Sequence, residues 1–314
     1  MSEAIRTHAP RFLVLRGGAI GDFIATLPVL QALRTQWPAA TIEIWGYPHI
    51  ADLAVAVGLA QAVVSLDRAE MARFFVPEPS FTDAQVAAVR SFDLIFNYLH
   101  DPVGQVRSNL LLAGAKQVLS GSPIIKRGPA VPFLLEPLQA LAIYETNGTP
   151  ALDFPAALRA RGRARLQALG LRGRPMVVHP GSGSPTKNWP AARFVEILRR
   201  LQAAGRETVA VLGEADVAEA AVLARELPKM PVLAGLTLTE LAATLAECGA
   251  FLGNDSGIAH LAAAVGLPTT AIFGPSDADV WAPRGRGGVT VLRAPEKELE
   301  RLTVAAVWAT LAQA

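Results

Sequence analysis

One cysteine in 314 residues, Cys248, leaves no partner for an internal disulfide and no thiolate set to hold a metal. Net charge is nearly missing as well: 29 Lys+Arg stand against 27 Asp+Glu, and a formal charge of +2 gives no basic footprint for nucleic acid. Long apolar runs are absent. The longest, Leu53 to Leu66, is broken by Gly58 and Gln61 and is too short to span a bilayer, and the run between Arg11 and Arg16 is only strand length. Fixed-period repeats and low-complexity tracts are lacking too, which argues against a solenoid. These absences point to a reduced, cytoplasmic setting with no nucleic-acid partner, and they leave peripheral contact with a membrane surface open.

What is present is apolar and long enough for two cores. Hydrophobic residues make up 51% and charged residues 18%, and 314 residues exceed one ordinary domain. Strand-length apolar runs alternate with helical patterns, the mark of a parallel sheet. In the first half the strands are Phe12 to Leu15, Thr41 to Trp45, Ala62 to Leu66, Leu94 to Tyr98 and Gln117 to Leu119. Pro123, Gly128, Pro129, Pro132, Pro137 and a turn at Asn147-Gly148-Thr149-Pro150 then punctuate the chain. The pattern restarts with a basic helix from Arg159 to Gly170, so residues 1–155 form one expected domain and 156–295 the second. The second runs Met176 to His179 (strand), Ala191 to Ala204 (helix), Thr208 to Leu212 (strand), Ala215 to Leu227 (helix) and Val232-Leu233 (strand). A helix opened by the capping box Thr237-x-x-Glu240 follows. The tail from Glu296 to Leu311 reads as a final amphipathic helix within 296–314.

Three motifs carry chemistry, each just after a predicted strand, where open α/β sheets bind ligands. The densest is the stretch from Phe251 to Pro275. There Asn254-Asp255-Ser256-Gly257 interrupts an apolar strand, and a short helix to Val265 stops at Gly266. Backbone amides of Ser256, Gly257 and Ile258 at that helix start favour a phosphate, and the His260 imidazole, one turn in, leans back over the same spot. The segment alone reads equally well as a Ser-capped buried helix.

The second motif is His179-Pro180-Gly181-Ser182-Gly183-Ser184-Pro185-Thr186-Lys187-Asn188-Trp189-Pro190. It fails the P-loop pattern at Thr186 and Asn188, yet the Ser182 hydroxyl, the loop amides and Lys187 suit a diphosphate. The third is Arg16-Gly17-Gly18-Ala19-Ile20-Gly21-Asp22. It is near the dinucleotide fingerprint, but Arg16 stands at its first glycine, and Trp45-Gly46-Tyr47 lacks the acid that would hold a ribose. Gly17, Gly18 and Gly21 allow a tight turn, and Asp22 at the helix start reads as a helix N-cap or as a general base. Glu214 is a candidate for a ribose hydroxyl and Leu236 for a nucleobase contact. Asp277-Ala278-Asp279 has a metal-binding spacing but is explained by a turn, so no metal is assigned.

In order and spacing, three of these stretches resemble glycosyltransferase family 9, the ADP-heptose:lipopolysaccharide heptosyltransferases. They are Gly21-Asp22, Pro180-Gly181 with Lys187-x-Trp189-Pro190, and Gly253-Asn254-Asp255-Ser256-Gly257-x-x-His260-Leu261-Ala262 with Phe273-Gly274-Pro275. The resemblance covers nearly the whole chain. It implies an α/β GT-B fold, two Rossmann-like domains facing across a cleft, with an acceptor-binding N-terminal domain and a nucleotide-sugar-binding C-terminal domain. It also implies a last helix packing back toward the N-terminal domain and an inverting reaction that needs no cofactor or obligate metal. Carried over by position, Asp22 is the catalytic base, Lys187 the diphosphate ligand, Ser256 and Gly257 the phosphate turn, and Asp255 and His260 donor-site polar residues. Ser182 falls where the family places hydroxyl donors. The partners so implied are a nucleotide-sugar donor, in the first place ADP-heptose, and a lipopolysaccharide-core or related glycan or glycolipid acceptor, with contact at the cytoplasmic face of the inner membrane left open. Residues 1–150 carry 11 Lys+Arg against 12 Asp+Glu, which is not the basic groove a heavily phosphorylated acceptor prefers. Two rival readings are an NAD(P)-dependent oxidoreductase and a non-catalytic nucleotide-sugar-binding protein.

Overall fold

The computed structural model describes residues 9–145 and 148–313, so Asn147 of the expected turn lies outside the described residues. The chain forms two compact units, Met1–Gly148 and Thr149–Ala314. The expected boundary lay seven residues later. Thr149 to Pro155 belongs with the second unit because Leu152 and Phe154 are buried and the Leu152 amide donates to the Ala264 carbonyl.

The first unit is a five-stranded parallel sheet in the order β3-β2-β1-β4-β5. Its strands are β1 (Arg11–Arg16), β2 (Thr41–Gly46), β3 (Ala62–Ser65), β4 (Leu94–Asn97) and β5 (Val118–Ser120). The helices are α1 (Ile20–Gln36), α2 (Pro48–Ala56), α3 (Asp83–Arg90), α4 (Gln105–Leu112) and α5 (Ala130–Leu135). β1 sits at the centre with both faces covered, which is why Phe12 to Leu15 is an unbroken apolar run rather than an alternating one.

The second unit is a six-stranded parallel sheet in the order β11-β10-β9-β6-β7-β8. Its strands are β6 (Met176–His179), β7 (Thr208–Val211), β8 (Val232–Leu233), β9 (Ala250–Asn254), β10 (Thr269–Phe273) and β11 (Val289–Arg293). The helices are α6 (Ala156–Ala168), α7 (Ala191–Ala203), α8 (Val217–Glu226), α9 (Leu238–Leu245), α10 (Gly257–Ala264), α11 (Ala278–Trp281) and α12 (Val304–Gln313). Thr237 caps α9 through the expected box, accepting the Glu240 amide while the Glu240 carboxylate accepts the Thr237 amide. Arginines of the basic helix α6 are neutralised locally. Arg159 and Arg163 both reach Glu247, and Arg165 reaches Glu240.

The continuous helix expected from Glu296 is not formed. Glu296 and Lys297 adopt left-handed backbone (φ 54° and 64°) and Leu302 is extended, so the segment makes two 3-10 turns before α12 begins at Val304. Thr303 starts that helix by accepting the Ala306 amide, and Val307 and Leu311 then bury in the second unit's core with Trp189 and Phe194. Among the described residues no helix is long and apolar enough to cross a membrane.

Candidate active site

In the first unit the chain leaves β1 at Arg16, whose side chain is buried. One terminal nitrogen donates to the Asp22 carbonyl at 3.0 Å, the other approaches the Tyr98 carbonyl at 3.5 Å, and the guanidinium lies 3.5 Å from the Asp22 carboxylate. Burial lowers the Arg16 pKa, while Asp22, and after it Tyr98, hold it up. Tyr98 is fully enclosed, which pushes its phenol upward, and its hydroxyl donates to the Leu134 carbonyl.

Helix α1 is preceded by Ala19, so Asp22 is the third helical residue and not the N-cap that the sequence suggested. Its Oδ2 reaches back to accept the Ala19 amide at 2.9 Å, and the side chain stays 28% exposed. Gly18 has φ +94° and a Cβ there would lie 2.9 Å from that same oxygen, so only glycine lets the carboxylate fold back over the turn. Gly17 lies on the same turn and Gly21 inside the first turn of α1.

In the second unit β6 and β9 are paired in register His179↔Gly253, so the two polar motifs emerge side by side. Asn254 ties them together. Its amide donates to the Pro180 carbonyl and its oxygen accepts the Trp189 amide, which fixes the loop carrying Lys187 against the strand carrying Asp255. Lys187 Nζ then sits 2.8 Å from Asp255 Oδ2, which also accepts the Ser276 hydroxyl at 2.6 Å. The ammonium is 38% exposed on a carboxylate that is 7% exposed.

A buried relay supports this end of the sheet. Asp216 Oδ2 lies 3.2 Å from His179 Nε2, and His179 Nδ1 lies 3.3 Å from the Ser256 hydroxyl. Burial opposes the charge on Asp216, but hydrogen bonds from His179 and the Gly213 amide outweigh it, so its pKa is lowered. With Asp216 ionised, Nε2 carries the proton, and in the neutral ring Nδ1 accepts from Ser256. Ser256 Oγ in turn accepts the Ala259 amide as the cap of α10. Its hydroxyl is therefore committed, and what this turn offers a ligand is the amides of the helix start. A Cβ at Gly181 would fall 1.7 Å from Asp216 Oδ1, which makes glycine obligatory there.

The structure thus brings together Lys187, Asp255, Ser256 and Gly257, with His260 about one turn into α10 and buried. The Ser182 hydroxyl is also committed, donating to the Ser184 carbonyl and accepting the Ser184 amide. Glu214 is exposed in the turn after β7, and Leu236 is half-buried in the loop after β8. Asp277 caps α11 by accepting the Asp279 amide, and Asp279 pairs with Arg293. His179, Asp216 and Ser276 were missed as a set by the sequence reading. His179 and Asp216 stand 37 positions apart, and no local pattern announces such a pair.

The family description "Glycosyltransferase family 9 (heptosyltransferase)" matches residues 134–307. The chain is 25% identical over 282 residues to the lipopolysaccharide heptosyltransferase 3 of Escherichia coli, covering 84% of this chain and 83% of that one. A lipopolysaccharide heptosyltransferase 1 of Pseudomonas aeruginosa is 36% identical over 105 residues, about a third of either chain (33% and 30%). Among solved structures, a glycosyl transferase family 9 protein from Veillonella parvula superposes with a TM-score of 0.80 at 19% identity, covering 97% and 96% of the two chains. The E. coli heptosyltransferase WaaC with ADP gives 0.73 at 20% identity, covering 96% and 99%. These likenesses identify the two parallel-sheet units as the GT-B type of fold.

Proposed function

Because the chain belongs to glycosyltransferase family 9, we propose that it transfers heptose from ADP-heptose to a hydroxyl of a lipopolysaccharide-core or related glycan. The observation that carries the donor half is the Lys187 ammonium held 2.8 Å from Asp255 beside the capped start of α10. A diphosphate leaving group gathers negative charge as the glycosidic bond breaks. An ammonium and free helix amides aimed at it stabilise the transition state more than the ground state. Asp22 takes the proton of the attacking acceptor hydroxyl, which adds on the face opposite the departing diphosphate and inverts the anomeric centre. Glu214 and Leu236 contact the nucleoside, and His260 and Asp255 orient the groups around the phosphates. The donor is supported by relatives named lipopolysaccharide heptosyltransferases and by the structure of E. coli heptosyltransferase WaaC with ADP-2-deoxy-2-fluoro heptose. The dinucleotide reading loses ground because Arg16, buried and bonded to two carbonyls, fills the place of the first glycine of the fingerprint.

The test is transfer itself. Purified protein, ADP-heptose and a heptose-deficient lipopolysaccharide acceptor are combined with EDTA present, and the acceptor is weighed by mass spectrometry. Gain of one heptosyl unit is expected, along with a rise in melting temperature with ADP and none with NAD(P)H. No mass gain with any nucleotide sugar, in a chain that binds ADP, would leave a binding protein instead. Loss of transfer in EDTA, restored by Mg²⁺ or Mn²⁺, would put a metal into the reaction.

A further inference from the structure

The diphosphate chemistry uses the buried relay Asp216–His179–Ser256 only as a support, yet its middle member has two charge states that serve a ligand differently. His179 ends β6 and is 4% exposed, with Asp216 at 3% and Ser256 at 8%. Little water reaches the three, so their hydrogen bonds are made to one another and to the backbone around them.

With the imidazole neutral, Nε2–H donates to Asp216 Oδ2 at 3.2 Å and Nδ1 accepts the Ser256 hydroxyl at 3.3 Å. Ser256 Oγ also accepts the Ala259 amide, which leaves this side chain no donor for a ligand. One more proton on the ring reverses the second bond. Nδ1–H then donates to Ser256 Oγ, which takes it on one lone pair and keeps the Ala259 amide on the other. The Ser256 O–H is released and can turn outward beside the amides of the helix start. Only hydrogen atoms have to move.

Charge favours that second state when an anion arrives. On the elements around His179 the titratable and charged groups are Asp216 and Glu219 at the start of α8, Glu214 after β7, Lys187 after β6, Asp255 after β9 and His260 in α10. The Lys187 ammonium is already opposed by Asp255, and Asp216 stands ionised behind the ring. An imidazolium between Asp216 and a diphosphate would have negative charge on both sides, which favours the charged form.

We propose that His179 takes up one proton from solvent when a diphosphate binds at the start of α10, and that this turns the Ser256 hydroxyl from the imidazole to a phosphate oxygen. His179 and Asp216 are then positioning residues that act on the ligand through Ser256. The proposal rests on the reading of this turn as the diphosphate site. The test is calorimetric titration of the full chain with ADP in buffers of different ionisation enthalpy, which counts the protons taken up per ADP bound. At about pH 7.5 the terminal phosphate of ADP is already mostly ionised, so the count reports on the protein. Wild type should take up about 0.5 to 1 proton. His179→Gln keeps a donor toward Asp216 but cannot be protonated, and Asp216→Asn removes the charge behind the ring. Each should still bind ADP while taking up about 0.2 proton or fewer. A merely structural role would change affinity and leave the proton count alone. Melting temperature shows which variants are folded, and either one alone decides the question. Uptake equal to wild type in a folded variant would assign the proton to another group, such as His260, and overturn the proposal. Wild-type binding of ADP with no uptake would overturn it without any variant. A wild-type chain that bound no ADP would bring down the diphosphate reading, and the proton link with it.

Discussion

The two strand-to-helix corners to which we assign the proposed chemistry are built with opposite polarity. In the first unit a carboxylate, Asp22, is 28% exposed and rests on an arginine whose side chain is 1% exposed. In the second an ammonium, Lys187, is 38% exposed and rests on a carboxylate that is 7% exposed. Each corner buries one charge and turns its partner outward. A buried charge is tolerated only when it is paired and hydrogen-bonded, so each inner group fixes the position of the outer one. The difference teaches what each corner can meet. The first presents a proton acceptor and suits a hydroxyl, whereas the second presents a cation and helix amides and suits a leaving diphosphate.

That comparison breaks most sharply at Asp22. Asp22→Asn keeps the shape and a bond to the Ala19 amide but loses the basicity, so turnover should fall by roughly 10² to 10⁴, about 3 to 5 kcal/mol, with ADP affinity retained. Lys187→Ala should do the converse at smaller cost. Calorimetry should find ADP bound more weakly by about 1 to 3 kcal/mol, the scale of a charge-assisted hydrogen bond.

The relay behind the second corner gives a pH signature of its own. The Asp216 pKa lies below its ordinary value of 3.8, so its contribution to stability is present above that value and is lost as pH falls through the lower folded-state pKa. Melting temperature measured from neutral pH down to about pH 3 should therefore fall more steeply for wild type than for Asp216→Asn. At neutral pH the variant should be less stable by about 1 to 3 kcal/mol, because His179 and the Gly213 amide lose a buried acceptor. Parallel curves would show that the relay is not a stability element. The smallest effect belongs to a position outside both corners. Glu296 holds a left-handed backbone that glycine adopts freely, so Glu296→Gly should stabilise by about 0.5 to 1 kcal/mol, less what its surface pair with Arg301 contributes.

The strand alternation was legible because buried parallel strands are unbroken apolar runs, and β6 and β8 match their sequence ranges to the residue. Lys187 and the Asp255 to His260 turn were legible for a related reason, since polar residues that abruptly end a buried strand stand at the ligand-binding edge of the sheet. The His179–Asp216 pair and the Ser276–Asp255 bond were not. They join loops after different strands, and only the order of strands in the sheet makes those loops neighbours. The tail misled for a local reason. Apolar spacing continues from Leu299 to Leu311, but two left-handed residues and an extended Leu302 interrupt the backbone that spacing alone would have made helical.

The opposite polarity of the two corners is tested most directly by measuring ADP affinity and single-turnover transfer at saturating donor for Asp22→Asn and Lys187→Ala side by side. The melting temperature of each variant shows that it is folded. The account predicts a crossed pattern: Asp22→Asn binds ADP normally and does not transfer, while Lys187→Ala binds ADP weakly. Near-normal transfer by folded Asp22→Asn, or unchanged ADP affinity in folded Lys187→Ala, would contradict it.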